Sequence, residues 1–81
     1  MELLTKEDYR TIRRAMDHRR VISLTREAQG VAATVTTHEA PPVWGVPMVV
    51  QIRVRVRGMV WLQTFSSVSD LEEAVQSWKG A

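Results

Sequence analysis

From Met48 to Phe65, MVVQIRVRVRGMVWLQTF, apolar and polar positions alternate with a period of two: Val50, Ile52, Val54 and Val56 against Gln51, Arg53, Arg55 and Arg57. Such alternation predicts a β-strand with one buried and one wet face, the wet face carrying a row of arginines. Arg57-Gly58 interrupts the pattern and reads as the centre of a tight two-residue turn into a second strand. On that pairing Val56 faces Met59, Val54 faces Trp61, Ile52 faces Gln63 and Val50 faces Phe65. Met59, Trp61 and Phe65 then join the valine face, while Val60, Leu62 and Thr64 lie among the arginines. A slip of one residue would exchange the faces, and arginine is a poor first residue for a type I′ turn. The functional reading of this surface therefore depends on the register.

The rest of the chain reads as elements that cover the valine face. Thr5 with Asp8 forms a capping box in which the shorter acid replaces glutamate, opening a helix from about Lys6 to Arg20. Tyr9, Ile12, Ala15 and Met16 share one side of it, and Lys6, Arg10, Arg13, Asp17 and Arg20 the other. Val21–Glu27 and Val31–Thr37 are β-branched and alternating, with Ile22 and Leu24, then Val31, Ala33 and Val35, turned inward, and Gly30 marks the turn between them. HEAPPVWGVP, residues 38–47, holds all three prolines and reads as a loop, with Trp44 either folded onto the core or displayed. Ser69 with Glu72 reads as a second capping box, with Leu71, Ala74, Val75 and Trp78 on one face of the helix it opens and Gly80 as its stop. The order α-β-β-β-β-α predicts a single domain over residues 1–81, an α+β two-layer sandwich with both helices on one face of a four-stranded antiparallel sheet.

Composition narrows the class of protein more than it names a function. At 81 residues the chain buries only a little more than about 60% of the surface its unfolded form exposes, so stability is marginal and homodimer formation or partner binding would add to it. There is no cysteine, hence no disulfide framework and no thiol chemistry. No apolar run approaches the roughly 20 residues of a membrane span, and the amino terminus lacks the apolar core of a signal peptide. A cytoplasmic location with no membrane contact is the expectation. Net charge is only +2, yet Arg10, Arg13, Arg14, Arg19 and Arg20 crowd one segment and Arg53, Arg55 and Arg57 another, while Asp70, Glu72 and Glu73 make the carboxy-terminal segment acidic. Local basic clusters on a nearly neutral chain favour an acidic patch on a partner over bulk attraction to any polyanion.

No cofactor, metal or catalytic motif stands out. His18 and His38 fall in no metal-ligand spacing, His38-Glu39 would point to opposite sides of an extended chain, and the scattered glycines make no phosphate loop. An enzyme is not expected. Arg53, Arg55 and Arg57 serve equally as a solvated strand face or as a platform for oxyanions, since guanidinium forks bind carboxylates in a bidentate manner. Sheets that bind single strands add exposed aromatic rings for stacking; here the neighbours of the arginines are Val60 and Leu62, a mixture that suits a protein interface. The first expectation is a small regulatory or inhibitory protein-binding module that presents Arg53, Arg55 and Arg57 with Val60 and Leu62, assisted by Trp44, to an acidic partner surface. In size and style alone it resembles small phage-encoded proteins that block host machinery. The second is a nucleic-acid-binding protein using those arginines together with Arg10, Arg13 and Arg14 of the first helix, although Asp17 interrupts that basic face and Asn and Gln are absent from it. A third, weaker reading is a structural subunit assembling through its sheet edges.

Overall fold

The computed structural model describes residues 3–78. Helix α1 (Lys6–Asp17) is followed by strands β1 (Ser23–Ala28) and β2 (Val31–Glu39), a 3-10 turn at Pro42–Trp44, strands β3 (Met48–Val56) and β4 (Met59–Phe65), and helix α2 (Val68–Ser77). The strands form one antiparallel meander in the order β1-β2-β3-β4. This is the α+β arrangement expected, and the sheet is open at both edges.

The β1–β2 and β3–β4 hairpins each turn on a residue-glycine pair with positive φ at both positions, Gln29-Gly30 (51° and 80°) and Arg57-Gly58 (50° and 78°). That is the type I′ signature whose twist matches the strands. Glycine adopts it freely; Gln29 and Arg57 do so against the crowding of their Cβ atoms. The pairing that follows from Arg57-Gly58 is the one the alternation predicts, Val56↔Met59, Val54↔Trp61, Ile52↔Gln63 and Val50↔Phe65.

The core lies between the sheet and the helices. Val31, Ala33 and Val35 of β2, Val50, Ile52 and Val54 of β3 and Phe65 of β4 are buried in one cluster with Tyr9 and Ile12 of α1 and Val68 and Leu71 of α2. Each of the valine, leucine, isoleucine and phenylalanine side chains contributes roughly 1.5–3 kcal/mol by leaving water, and Ile12, Ile52 and Leu71 are fully buried. Leu3 and Leu4 belong to the same cluster. Leu4 immediately precedes the Thr5 cap and Tyr9 is the fourth helical residue, the two positions of a hydrophobic staple.

Several limits differ from the sequence expectation: β1 starts at Ser23, not Val21, and β2 runs on through His38 and Glu39, taken from the expected loop. Helix α1 ends at Asp17, not Arg20, because the chain closes in a Schellman turn: the Arg20 N–H donates to the Ala15 carbonyl (2.8 Å) and the Arg19 N–H to Met16 (3.3 Å), with Arg19 at φ 54° in the place glycine usually takes. Helix α2 starts two residues earlier than the Ser69–Glu72 box implies. Ser67 is the cap, its hydroxyl accepting from the Asp70 N–H (3.2 Å), which brings Val68 into the helix three residues before Leu71 and onto the same buried face. Gly80, the expected stop, lies outside the described residues. Finally, the helices stop short of the β3–β4 turn, so Met59, although on the valine face, remains 76% exposed.

Candidate protein-binding face

The register divides the sheet into two surfaces. Its helix-free side is built by Ser23, Thr25 and Glu27 of β1, Ala32, Thr34, Thr36 and His38 of β2, Val49, Gln51, Arg53 and Arg55 of β3, and Val60, Leu62 and Thr64 of β4, which the pairing puts in one phase; of these Val49, at the loop end of β3, is fully buried. Arg53 stands between Thr34 and Leu62, and Arg55 between Ala32 and Val60. The two guanidinium groups are therefore bordered on one side by small or hydroxylated residues and on the other by two exposed aliphatic ones, Val60 (52%) and Leu62 (57%). Among the described residues no ion pair involves Arg53 or Arg55. Among the described strand residues of this face none is Phe, Tyr or Trp. The hydroxyls beside the arginines are paired with one another, Thr25 with Thr34 (3.4 Å), and Gln51 donates to Thr64 (3.3 Å).

The other sequence candidates do not join this patch. Arg57 sits in the β3–β4 turn and lines, with Val54, Val56, Met59, Val60, Trp61 and Trp78, a groove of about 320 Å³ that meets the patch only at Val60. Trp61 is thus only half-buried: it faces the core side as expected but is left at the mouth of that groove. Trp44, 41% exposed, closes the 3-10 turn, its N–H donating to Pro41 (3.0 Å), in a loop tied off by the Ala40 N–H on the Pro47 carbonyl (3.0 Å). That loop joins the opposite ends of β2 and β3 from the Arg57-Gly58 turn. At about 3.3 Å per residue, the loop end of β3 at Met48 lies about 23 Å along the strand from Arg55. Arg10, Arg13 and Arg14 are on α1, in the layer across the sheet from Arg53 and Arg55. Arg10 pairs with Glu7 (3.4 Å) and Arg13 with Glu72 of α2 (3.3 Å), both in partly solvated positions; pairs of this kind are worth under about 1 kcal/mol. The two basic clusters do not make one surface.

A charged pair that the sequence reading passed over closes the β1 side. Asp8 is in phase with Ile12 and Ala15 on the apolar side of α1, and Arg26 is in phase with Leu24 on the inner side of β1. They meet in a two-pronged contact, Arg26 Nη2 to Asp8 Oδ1 at 2.8 Å and Nε to Oδ2 at 3.3 Å. The Thr5 N–H donates to Oδ2 as well (3.0 Å), and the Thr5 hydroxyl accepts from the Asp8 N–H (3.1 Å). The Arg26 guanidinium, hydrogen-bonded to the carboxylate, holds Asp8 below the usual aspartate range, aided by Thr5 and opposed by burial. At the other end of α1 Thr37, fully buried, accepts from the Ile22 N–H (3.0 Å) and donates to the Arg20 carbonyl (2.6 Å). The signal for the ion pair was present: opposite charges, each in phase with an apolar stripe.

His18 is exposed, and the half-buried His38 donates from Nδ1 to the Glu39 carbonyl (3.1 Å). Among the described residues no three His, Asp or Glu side chains gather as a metal site, and no helix is long and apolar enough to cross a membrane. No protein-family model, curated protein or solved structure matches the chain.

Proposed function

We propose that the protein is a small non-enzymatic binding module, regulatory or inhibitory, that applies Arg53, Arg55, Val60 and Leu62 to an acidic patch on another protein. The observation that supports this most is the pairing of Arg53 with Leu62 and Arg55 with Val60 on a helix-free face whose described strand residues include no Phe, Tyr or Trp. Two guanidinium groups without carboxylate partners supply bidentate recognition of Asp or Glu. The adjoining aliphatic side chains supply apolar area at a cost in side-chain entropy smaller than that of long polar residues. Nucleic acid binding on the same face would rest on charge, with the half-buried His38 in place of the Phe, Tyr or Trp of a stacking platform.

The test is capture from nuclease-treated lysate of the source cell with the wild-type protein and with R53A/R55A side by side. A protein retained by the first and lost from the second is the expected result; equal retention by both overturns the reading. A generic duplex or single strand bound at low salt, with affinity falling by a log-log slope of about 0.7–0.9 per phosphate contacted, would transfer the face to nucleic acid.

A further inference from the structure

We propose that the free edge of β4 is a homodimer interface, where β4 of a second copy pairs antiparallel across a two-fold axis at Leu62 and extends the sheet from four strands to eight. The inference does not require the acidic-partner reading.

It begins with the backbone. Val56 and Met59 close a two-residue turn as a mutually hydrogen-bonded pair, and such pairs alternate along an antiparallel ladder. Met59, Trp61, Gln63 and Phe65 therefore direct their N–H and C=O groups at β3, while those of Val60, Leu62 and Thr64 point away from the sheet. Three donors and three acceptors stand along a straight edge whose register runs without a bulge from Met59 to Phe65.

Sheet edges of this kind are ordinarily blunted by charge, proline or a bulge. β4, MVWLQTF, has none of these. Its flanks are apolar on both faces at the turn end, with Met59 exposed on one and Val60 and Leu62 on the other. Gln63 is exposed as well, so no helix overhangs the middle of the strand.

A second copy satisfies this edge in one register above all. Centred on Leu62, the pairs are Leu62 with Leu62, Val60 with Thr64, and Thr64 with Val60, which is the arrangement in which all six outward groups of each strand find partners. The closest side-chain neighbours are then Leu62 with Leu62 and Val60 with Thr64 on one face, and Trp61 with Gln63 on the other, with no charge among them. Arg53 and Arg55 do not oppose it. They stand one strand further in, so the two arginine rows are about three strand spacings, ~14 Å, apart, beyond the screening length of about 8 Å at physiological salt. The interface is isologous and closed, which limits it to a dimer.

Sedimentation and thiol cross-linking test this directly, the chain having no cysteine of its own. The wild-type protein is expected to sediment at twice the monomer mass, and L62K at the monomer mass with an unchanged far-UV spectrum. Residues 62 and 62 of a hydrogen-bonded pair are about 5.5 Å apart between Cα atoms, within reach of a disulfide. L62C is therefore expected to oxidise to a covalent dimer. T64C alone places its thiols four residues out of register, ~14 Å apart, and is expected to stay reduced, whereas V60C/T64C cross-links. A wild-type protein monomeric throughout the concentration range, or cross-linking of T64C as complete as that of L62C, overturns the interface or its register. R53A/R55A leaves β4 intact, so loss of partner capture and loss of dimer are separate results.

Discussion

The two edges of the sheet are finished in opposite ways. At β1, Arg26 is drawn toward the helix layer by Asp8 in a contact of 2.8 Å, and Thr37 ties the chain between α1 and β1 to β2 through Arg20 and Ile22. At β4 the strand carries no charge and leaves Met59, Val60 and Leu62 exposed. One side is closed by polar chemistry within the chain; the other presents apolar side chains and free backbone groups outward. Side-chain networks of the first kind fix a unique arrangement and contribute to cooperativity, whereas an unblunted strand of the second kind is a surface for association. On the proposed reading, recognition uses the β3–β4 side and the closing ion pair lies at β1, and substitutions at the two edges would separate them.

The largest effect belongs to Asp8. D8A removes the acceptor of Arg26 and of the Thr5 N–H together, and about 2–3 kcal/mol of stability goes with it in urea denaturation, partial solvation of Arg26 keeping the figure below that of a fully buried pair. The same contact sets an acid dependence. Because folding lowers the Asp8 pKa, the native state holds fewer protons than the unfolded chain just below the usual aspartate value of about 3.9. Its contribution is complete above that value and is lost as pH falls through the native pKa. D8N is expected to flatten this part of the stability profile, measured as the urea midpoint against pH.

T37V comes next. It keeps the volume but leaves the Arg20 carbonyl and the Ile22 N–H without their side-chain partner, a loss of about 1–2 kcal/mol. At the opposite corner R57N has the reverse sign. Asparagine tolerates the positive φ that Arg57 holds at 50°, and the thermal midpoint should rise by the equivalent of about 0.5–1 kcal/mol. R53A/R55A is the smallest, within about 0.5 kcal/mol of wild type by the same measurement, because both side chains are exposed and outside any ion pair. A large loss from R53A/R55A, or none from D8A, would break the division between the edges.

The fold was legible because three local signals agreed. Period-two alternation, a glycine at the second position of each turn, and a Thr5–Asp8 cap each specify their own element, and the β3–β4 register follows from the turn length alone. Long-range chemistry was less legible. The local pattern gives Asp8 a capping role alone and Arg26 none, and only the phase of each with the apolar stripes of two elements 18 residues apart points to their pairing. The end of α1 was misplaced since Arg19 adopts a conformation that sequence assigns to glycine, and the start of α2 because SSVSD offers two serines and only the burial of Val68 selects the first. For the candidate face, Arg53, Arg55, Val60 and Leu62 followed from the register, while Trp44 and the helix arginines depended on which end and which layer they occupy, which no linear pattern encodes.

The central claim is that the helix-free face recognises an acidic protein through Arg53 and Arg55. The most direct measurement is the amount of partner captured from nuclease-treated lysate by R53A/R55A relative to wild type, both confirmed folded by far-UV spectrum. A loss of at least about tenfold, equivalent to 1.4 kcal/mol, is the predicted result. Equal capture by the two proteins would contradict it.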